Sequence, residues 1–526
     1  MLAGTAGMLF AAAPAPGAVG ELTYRDCITG EIDSSGAPAK RGATPTSGAC
    51  VGIPTAISSG AEGFISGLGG ARDIAVSPDG RSVYVTAPTD DAIAHFTRVG
   101  GKLTYEGCLS GWDGTIGPGK TATATTEGAA KGGAGPPCTL IEGASLDGVN
   151  SGLDSVRELA ISADGRSLYA TAAGDDAVAR FRRNRRSGEL TYKGCITGEA
   201  ETAAGPRCVG IPGATSTGLG SGLNFPTALT LRPGDEALYV GSTSDDAVAW
   251  FKRARSGALT FKRCVSSGGG AGACDGVAVG EVAAGGTMAP SADGKNLYSV
   301  GSSDLTRFAL KRSGRPLWQD CLSGDEVSDC REIPSATPGA TDSGFDGLSG
   351  LVVSPDDRWV YAGGENENAI ARLRRNLDTG RLAWRDCLTA TTETGPVMSG
   401  GSGACAALPT MAPEGEDSGF EELEGLEMSA DGKSLYTTAS RDASVGWLKR
   451  KQRTGELIFK GCISGDTDVG PAPAGSGACT AIPSASDGGN ESGLDSARGI
   501  TVSDDGRWLY ATGAADDALA RFRRER

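Results

Sequence analysis

Residues 152–197 read GLDSVRELAISADGRSLYATAAGDDAVARFRRNRRSGELTYKGCIT, and this stretch decides the fold. It contains four short runs, ELAIS, SLYATA, AVARF and ELTYKGC, that are rich in β-branched and aromatic residues. The turn sequences ADGR, GDD and RRNRRSG separate these runs. Apolar residues at near-alternate positions between Gly- and Asp-rich turns predict four strands in an antiparallel meander.

The same unit recurs along the chain. The fourth-strand block, LTY-x-x-C or a variant, occurs at residues 22–27, 103–108, 190–195, 259–264, 317–321, 382–387 and 457–462. The block S-x-D-G-[RK]-x-[LV]-Y or a looser copy occurs at residues 77–84, 162–169, 232–239, 291–298, 354–361, 429–436 and 503–510. One small sheet cannot bury both of its faces alone, so seven repeats predict an all-β, seven-bladed β-propeller with four antiparallel strands per blade.

The two ends of the chain support ring closure. Residues 21–27 form a fourth strand without the three that should precede it, whereas residues 517–524 form a third strand without a fourth. We therefore expect the N-terminal strand to complete the last blade and to cover its open edge. The prediction is one propeller over residues 20–526, with long loops. Residues 1–19 are apolar and uncharged, which is typical of a signal peptide or of a disordered arm.

Composition limits the classes of partner. The 526-residue chain has a formal net charge of −15 and a pI of about 4.8, which argues against general nucleic-acid binding. No apolar run reaches the roughly 20 residues that a transmembrane helix needs. The 83 glycines and 25 prolines indicate a loop-rich protein.

The repeat resembles a known family. Tyr84, Val85 and Thr86, within SPDGRSVYVT, are similar to the repeat of the YVTN-repeat and lactonase-type seven-bladed propeller proteins. The resemblance covers residues 20–526 apart from the inserted loops. It implies the propeller fold, and it leaves activity open because the family includes lactone hydrolases and many surface proteins. No catalytic residue of the family is carried over.

The fourteen cysteines divide into consecutive pairs, one for each blade. The first of each pair ends a fourth strand and the second lies in the following loop, and a single His and no C-x-x-C make a zinc site a poor alternative. Each bridge would contribute about 3 kcal/mol for a 15-residue loop, and bridges in every blade favour an oxidising, extracytoplasmic compartment. The predicted disulfides are Cys27–Cys50, Cys108–Cys138, Cys195–Cys208, Cys264–Cys274, Cys321–Cys330, Cys387–Cys405 and Cys462–Cys479.

Charge separates the two faces of the predicted ring. We call the face with the second-to-third turns the top and the face with the third-to-fourth turns the bottom. Acidic residues in the top turns suit either a cation such as Ca²⁺ or the capping of backbone donors, and the second interpretation is favoured because no D-x-D-x-D-G loop is present. These residues are Asp90, Asp91, Asp175, Asp176, Asp245, Asp246, Asp304, Glu365, Glu367, Asp442, Asp516 and Asp517. No other cofactor is predicted.

The bottom turns carry the basic residues. A basic ring on an acidic protein could dock onto an anionic cell-surface polymer, or it could be a solvated rim that keeps the strand ends soluble. The residues are Arg182, Arg183, Arg185, Arg186, Lys252, Arg253, Arg255, Lys311, Arg312, Arg374, Arg375, Lys449, Arg450, Lys451, Arg453, Arg523, Arg524 and Arg526.

The top mouth of the central channel is the expected ligand site. Counting back from the first turn of each blade places Arg72, Arg157, Thr227, Gly286, Ser349, Glu424 and Arg498 there. Three arginines in neighbouring blades could grip a carboxylate or phosphate. Alternatively, Glu424 could hold them in an internal ion-pair network.

Two functions follow from this inventory. The first is an exported binding protein for a protein, a carbohydrate or a small anion, with its site at the channel mouth. The alternative is a lactonase-like hydrolase acting on a small lactone or sugar-derived substrate, with Glu424 as the candidate base. The single histidine, His95, lies on a third strand and is expected to be packed or solvated rather than to act as a general base. The sparse titratable groups favour the binding protein, and fold alone does not decide function.

Overall fold

The computed structural model of the chain describes residues 18–32, 50–58, 66–112, 138–145, 148–204, 207–267, 274–277, 281–326 and 329–526. They form seven sheets of five strands each. The innermost strands of successive sheets contact one another in order, and the seventh packs against the first. The predicted seven-bladed β-propeller is therefore confirmed. Residues 1–17, which include most of the signal-like segment, lie outside the described ranges.

The first four blades each run from the innermost strand outward. Blade 1 contains β3 (Ile74–Val76), β4 (Ser82–Ala87), β5 (Ala92–Val99), β6 (Lys102–Trp112) and β7 (Thr139–Ser145). Blade 2 contains β8 (Val156–Ile161), β9 (Ser167–Ala172), β10 (Ala177–Arg183), β11 (Leu190–Glu199) and β12 (Cys208–Thr215). Blade 3 contains β13 (Pro226–Leu231), β14 (Ala237–Ser242), β15 (Ala247–Arg253), β16 (Leu259–Ser266) and β17 (Cys274–Gly276). Blade 4 contains β18 (Met288–Pro290), β19 (Asn296–Gly301), β20 (Asp304–Leu310), β21 (Pro316–Asp325) and β22 (Arg331–Thr337).

The last three blades follow the same plan. Blade 5 contains β23 (Leu348–Val353), β24 (Trp359–Gly364), β25 (Ala369–Arg375), β26 (Leu382–Thr391) and β27 (Ala406–Ala412). Blade 6 contains β28 (Leu423–Met428), β29 (Ser434–Ala439), β30 (Ser444–Arg450), β31 (Leu457–Asp466) and β32 (Thr480–Ser486). Blade 7 contains β33 (Ala497–Val502), β34 (Trp508–Gly513) and β35 (Ala518–Arg524), completed by β1 (Leu22–Ile32) and β2 (Val51–Ser58).

Helical structure is confined to short connections. They are the four-residue helix α1 (Ala200–Ala203) and the 3-10 turns Pro88–Asp90, Pro338–Ala340, Val397–Ser399, Pro413–Gly415 and Asp487–Gly489. In the described part of the chain, none of the helices has the length and apolar character needed to cross a bilayer.

The core lies between neighbouring blades. All six residues of β4, SVYVTA, are buried, because the second strand of a blade is covered on both faces by adjacent sheets. The equivalent tyrosines are among the largest fully buried side chains: Tyr84, Tyr169, Tyr239, Tyr298, Tyr361, Tyr436 and Tyr510. The repeat therefore buries one aromatic ring at every blade boundary, which supplies much of the apolar area that folding removes from water.

A fifth strand extends each predicted blade. The four antiparallel strands are confirmed, and a further strand pairs in parallel with the outer side of the fourth. In blade 2, Cys195 lies opposite Cys208 in this register, and the two form a disulfide. All seven predicted pairs are bonded, and the described residues contain no free cysteine. Each bridge thus fixes an outer edge strand.

The ring closes as the sequence predicts. The N-terminal strand β1 pairs antiparallel with β35, with Leu22 opposite Arg524 and Thr29 opposite Ala518. Beyond the pair, the N–H of Gly20 donates to the carbonyl of Glu525 at 2.7 Å. These hydrogen bonds give the third strand of blade 7 the fourth-strand neighbour that the other blades obtain from continuous chain.

Paired acidic residues in the top turns bind backbone donors. The buried Asp175 carboxylate accepts hydrogen bonds from the N–H groups of Gly152 at 2.6 Å and Asp154 at 3.1 Å in its own blade. The second residue of a pair reaches the next blade: Asp91 accepts from the N–H of Ser155 at 2.7 Å. The equivalent contacts are Asp176 with Phe225, Asn368 with Glu422, and Asp517 with Gly70. This geometry supports the capping interpretation.

On the bottom, an arginine joins each of six boundaries. The Arg183 guanidinium donates to the Tyr84 hydroxyl of blade 1 at 2.7 Å and forms an ion pair with Asp79 at 2.9 Å. We call such an arginine, together with the tyrosine of the preceding blade, a boundary latch. The other latches are Arg98–Tyr510, Arg253–Tyr169, Arg375–Tyr298, Arg450–Tyr361 and Arg524–Tyr436.

The boundary between blades 3 and 4 differs. Leu310 of blade 4 occupies the latch position, while Tyr239 of blade 3 still donates to the carbonyl of Gly314 at 2.6 Å. The cation comes from the other side: Arg232 of blade 3 donates to the carbonyl of Gly294 in blade 4 at 2.9 Å. Arg232 stands where most blades have the turn serine. A guanidinium therefore crosses all seven boundaries.

Candidate functional site

The predicted channel residues lie on or next to the innermost strands. Arg157, Glu424 and Arg498 are in β8, β28 and β33, and Arg72 precedes β3. The threonine of the second strand fixes their backbones from the neighbouring blade. Thr86 donates to the carbonyl of Arg157 at 2.7 Å, and equivalent bonds from Thr512 and Thr438 reach Arg72 and Arg498 at 2.8 and 2.5 Å.

Glycine permits this close approach between inner strands. Gly499 follows Arg498, and a Cβ at that position would lie 2.2 Å from the carbonyl oxygen of Arg72. A Cβ on Gly425, which follows Glu424, would lie 2.6 Å from the carbonyl oxygen of Arg498. Any side chain here would separate blades 6, 7 and 1, and it would move the arginines apart.

The structure brings the three arginines together. Burial, followed by repulsion from Arg498, lowers the pKa of Arg72. Burial also lowers the pKa of Arg157 to about 10, with contributions from both Arg72 and Arg498. The Arg157 guanidinium carbon lies 4.9 Å from the centroid of the Phe225 ring, and its buried Nε has no hydrogen-bond partner. Carboxylates of Glu424, Glu158 and Asp73 oppose the shift at Arg72, so charges of both signs meet at the mouth.

One of the three arginines is neutralised directly. Arg498 forms an ion pair with Glu424. Glu365, from the second-to-third turn of blade 5, is close enough to Glu424 that its pKa rises, through burial first and that carboxylate second. Among the described residues, neither Arg72 nor Arg157 forms an ion pair. Arg498 is therefore held in an internal ion pair, whereas the binding of an anion by the three arginines stays a prediction.

Sequence reasoning missed a set of carboxyl groups deeper in the channel. Asp73 accepts from the N–H of Leu159 at 2.7 Å, and Glu158 accepts from the N–H of Leu229 at 2.7 Å, in each case from the next blade. Burial raises the pKa of both groups, and Asp73 raises that of Glu158 further. Asp73 and Glu158 directly follow Arg72 and Arg157 in the sequence. An acidic residue in or beside a strand that is predicted to be buried was the signal that could have identified them.

The structure divides the basic residues of the bottom. Arg183, Arg253, Arg375, Arg450 and Arg524 are buried in latches, so their assignment to an exposed rim is wrong. The other members of the predicted ring are exposed, and we call them the basic rim: Arg182, Arg185, Arg186, Lys252, Arg255, Lys311, Arg312, Arg374, Lys449, Lys451, Arg453, Arg523 and Arg526.

His95 is packed, as expected. Its ring stacks on Tyr84 with centroids 5.0 Å apart, and burial lowers its pKa to about 4. Within the described ranges, no group of three or more His, Cys, Asp or Glu side chains is arranged to hold a metal ion. The Ca²⁺ interpretation of the top acids stays an untested prediction.

Comparisons with known proteins find low similarity between this chain and solved structures. No protein-family model and no curated protein matches it. Among solved structures, it is similar to a periplasmic gluconolactonase from Pseudomonas aeruginosa, with 15% identity and a TM-score of 0.46 over 82% of this chain and 88% of that one. A putative 6-phosphogluconolactonase from Bacteroides uniformis has 14% identity and a TM-score of 0.43, covering 74% and 83%. Hydrazine synthase from Kuenenia stuttgartiensis has 14% identity and a TM-score of 0.46, covering 88% and 98%.

Proposed function

We propose that the protein is an exported binding protein that holds a small anionic ligand at the top mouth of its channel. The observation that carries the proposal is the convergence of Arg72, Arg157 and Arg498 with one ion pair among them. An anion at this point would relieve the mutual repulsion of the guanidinium groups and would satisfy the buried Nε of Arg157. Seven disulfides support an oxidising compartment.

Calorimetric titration with citrate and with inorganic phosphate tests whether the three arginines bind an anion. We expect saturable binding that an Arg72→Ala, Arg157→Ala variant loses, because charge-assisted hydrogen bonds to a carboxylate contribute about 1.5–3 kcal/mol each. An Arg182→Ala, Arg185→Ala variant removes equal charge from the bottom and serves as the matched control. Unchanged affinity in the channel variant, or equal loss in the control, would contradict the proposal.

Glu424 supplies a second arm of the same test. In Glu424→Gln the competing carboxylate at Arg498 is removed, so a binding protein should hold citrate more tightly than the wild type does. Weaker citrate binding in this variant would mean that Glu424 itself orders the site.

A lactone hydrolase is the second candidate. The observation that favours it is the pair of buried carboxyl groups, Asp73 and Glu158, each of which follows a mouth arginine in sequence. A carboxyl group with a raised pKa can donate or accept a proton near neutral pH, while an arginine stabilises the developing oxyanion. Hydrolysis of glucono-1,5-lactone, measured above the spontaneous rate with and without chelator, tests this. Turnover lost in Glu424→Gln or Glu158→Gln would establish the enzyme, and the spontaneous rate in the wild type would exclude it for this lactone.

The basic rim is proposed to dock the protein onto an anionic cell-surface polymer. Its exposed cations lie on the face opposite to the channel mouth, so the two sites could be occupied together. Long-range attraction of this kind is strong at low salt and is screened at high salt.

A further inference from the structure

Comparison of the blades with one another identifies an arginine whose carboxylate is missing. In three blades, an arginine on the third strand pairs with the aspartate that precedes the first cysteine on the fourth strand. The pairs are Arg307–Asp320 in blade 4, Arg372–Asp386 in blade 5 and Arg521–Asp26 in blade 7. Arg307 and Arg372 hold their carboxylates through both Nε and Nη2, at 2.7 and 3.0 Å and at 2.8 and 2.5 Å.

Blade 2 keeps the arginine and lacks the acid. Arg180 occupies the third-strand position, and Gly194 precedes Cys195 where blades 4, 5 and 7 have aspartate. Among the described residues, Arg180 has no ion pair or hydrogen bond through its side chain. The remaining blades with glycine at this point carry an aromatic side chain opposite: His95 faces Gly107, and Trp447 faces Gly461. Blade 2 is thus the described case in which an arginine faces glycine.

A groove opens beside Arg180 and Gly194. It lies between the outer part of blade 2 and the fourth strand of blade 3, and its volume is about 390 Å³. That volume falls within the roughly 300–1,000 Å³ of small-molecule sites. Arg180 and Gly194 line it, together with the exposed Lys193. The described residues therefore place two unneutralised cations at one part of the groove.

The rest of the groove is apolar. Its lining includes Val178, Ile196, Val209, Ile211, Leu259 and Phe261. Val209 is 65% exposed. A third cation at the groove, Arg207, is already paired with Glu142 of blade 1. The charge left for a ligand is therefore concentrated at Arg180 and Lys193.

We propose that this groove binds an alkyl carboxylate, that is, an unbranched fatty acid. Its carboxylate would occupy the place of the absent aspartate on Arg180, and its hydrocarbon chain would cover the apolar lining that now contacts water. The positive charges of Arg180 and Lys193 favour a carboxylate head group, and the aliphatic and aromatic side chains favour a hydrocarbon tail. The site is separate from the channel mouth and does not depend on the function proposed there.

Calorimetric titration with the series hexanoate, octanoate, decanoate and dodecanoate, each below its micelle concentration, tests the proposal. Each added methylene that is buried should tighten binding about three- to four-fold. Arg180→Gln should weaken every member of the series by about ten-fold or more, because it removes a charge-assisted bidentate contact. Arg372→Gln is the matched control: it removes the equivalent arginine of blade 5, already paired with Asp386, and should leave affinity unchanged. A thermal melt of each variant verifies folding.

Three outcomes would overturn the proposal. The first is equal binding of dodecan-1-ol and dodecanoate, since the head group would then contribute nothing. The second is an Arg180→Gln variant that binds like the wild type. The third is binding of an acetylated peptide of alternating leucine and aspartate without binding of dodecanoate, which would assign the groove to a protein segment.

Discussion

Replacing Arg183 with methionine should destabilise the ring far more than the same change at its exposed neighbour. The buried guanidinium donates to the Tyr84 hydroxyl at 2.7 Å, the carbonyl of Gly165 at 3.1 Å, the Ser82 hydroxyl at 3.0 Å and both oxygens of Asp79 at 2.9 and 3.0 Å. Breaking a buried ion pair by removing one partner costs about 3–5 kcal/mol. The Asp79 side chain is 21% exposed, so water can reach it and the lower end of that range, about 3 kcal/mol, is expected.

Urea unfolding with the disulfides intact measures this difference. Arg182→Met, one residue away on the exposed face of the same strand, should change the free energy of unfolding by no more than about 0.5 kcal/mol. Tyr84→Phe should cost about 1–2 kcal/mol, because it removes one partner of the guanidinium. In a double-mutant cycle, the two changes should be coupled, since they act on one network. A loss below 1 kcal/mol in Arg183→Met would refute the latch as a source of stability.

The same variant has a pH signature. Burial by itself would raise the pKa of Asp79, but hydrogen bonds from Arg183, Ser77 and the N–H of Arg81, together with the charge of Arg183, outweigh burial and lower that pKa to about 2. A carboxylate whose folded pKa lies below the unfolded value stabilises the fold above the unfolded pKa, and this contribution disappears as pH falls through the folded pKa. The stability difference between wild type and Arg183→Met should therefore narrow between about pH 4 and pH 2.

Three further predictions concern other parts of the ring. Burial raises the pKa of Asp91 to about 8, so the stability that its protonated form contributes is lost as pH rises from about 4 through 8. The free energy of unfolding of Asp91→Asn should therefore equal that of the wild type near pH 4 and exceed it above pH 8. A difference that does not change with pH would contradict this. In urea unfolding, replacing Cys108 and Cys138 with alanine should lower the free energy of unfolding by about 1 kcal/mol more than replacing Cys321 and Cys330, because sequence separations of 30 and 9 close loops of unequal length. A larger loss for Cys321–Cys330 would exclude chain entropy as the main source of disulfide stabilisation. Neutralising the exposed Arg182, at the end of β10, with Arg185 and Arg186 in the turn that follows should lower the salt concentration that elutes the protein from an anionic matrix. Unchanged elution would exclude these three residues from the docking surface.

The seven-bladed architecture could be predicted from the sequence because the repeat combines two independent signals. Alternating apolar residues predicted the strands, and the out-of-phase ends predicted closure through β1. The fifth strand was not predicted because stretches such as β12, CVGIPGAT, contain Gly and Pro and lack a clear alternation of apolar and polar residues. The disulfide pairing nevertheless located it, since the second cysteine lies beside the first in the parallel register.

Prediction of the site was limited by side-chain direction. Counting along the repeats put Arg157, Glu424 and Arg498 on innermost strands, where the structure has them, because strand register depends on the backbone. The pairing of Arg498 with Glu424 depends on side-chain conformation and could not be read from spacing. By contrast, the burial of Arg183 was predictable: residues two apart on a strand share a face, and Phe181 is buried. Treating the turn as one run of positive charge concealed that alternation.

The latches have a consequence for building larger or smaller rings from this chain. A latch needs an arginine from one blade and a tyrosine from the preceding one, so blades 1, 2, 5, 6 and 7 present compatible edges. Blades 1, 2, 5 and 6 are each one continuous stretch of chain and could be duplicated or exchanged singly. Blades 3 and 4 have exchanged the cation across their shared boundary, through Arg232 and Leu310. A copy of blade 3 placed before blade 2 would bring Arg232 and Arg183 to the same boundary. A copy of blade 4 placed after blade 5 would leave a boundary without a guanidinium group, because Leu310 occupies the latch position. These two blades therefore form a single transferable module.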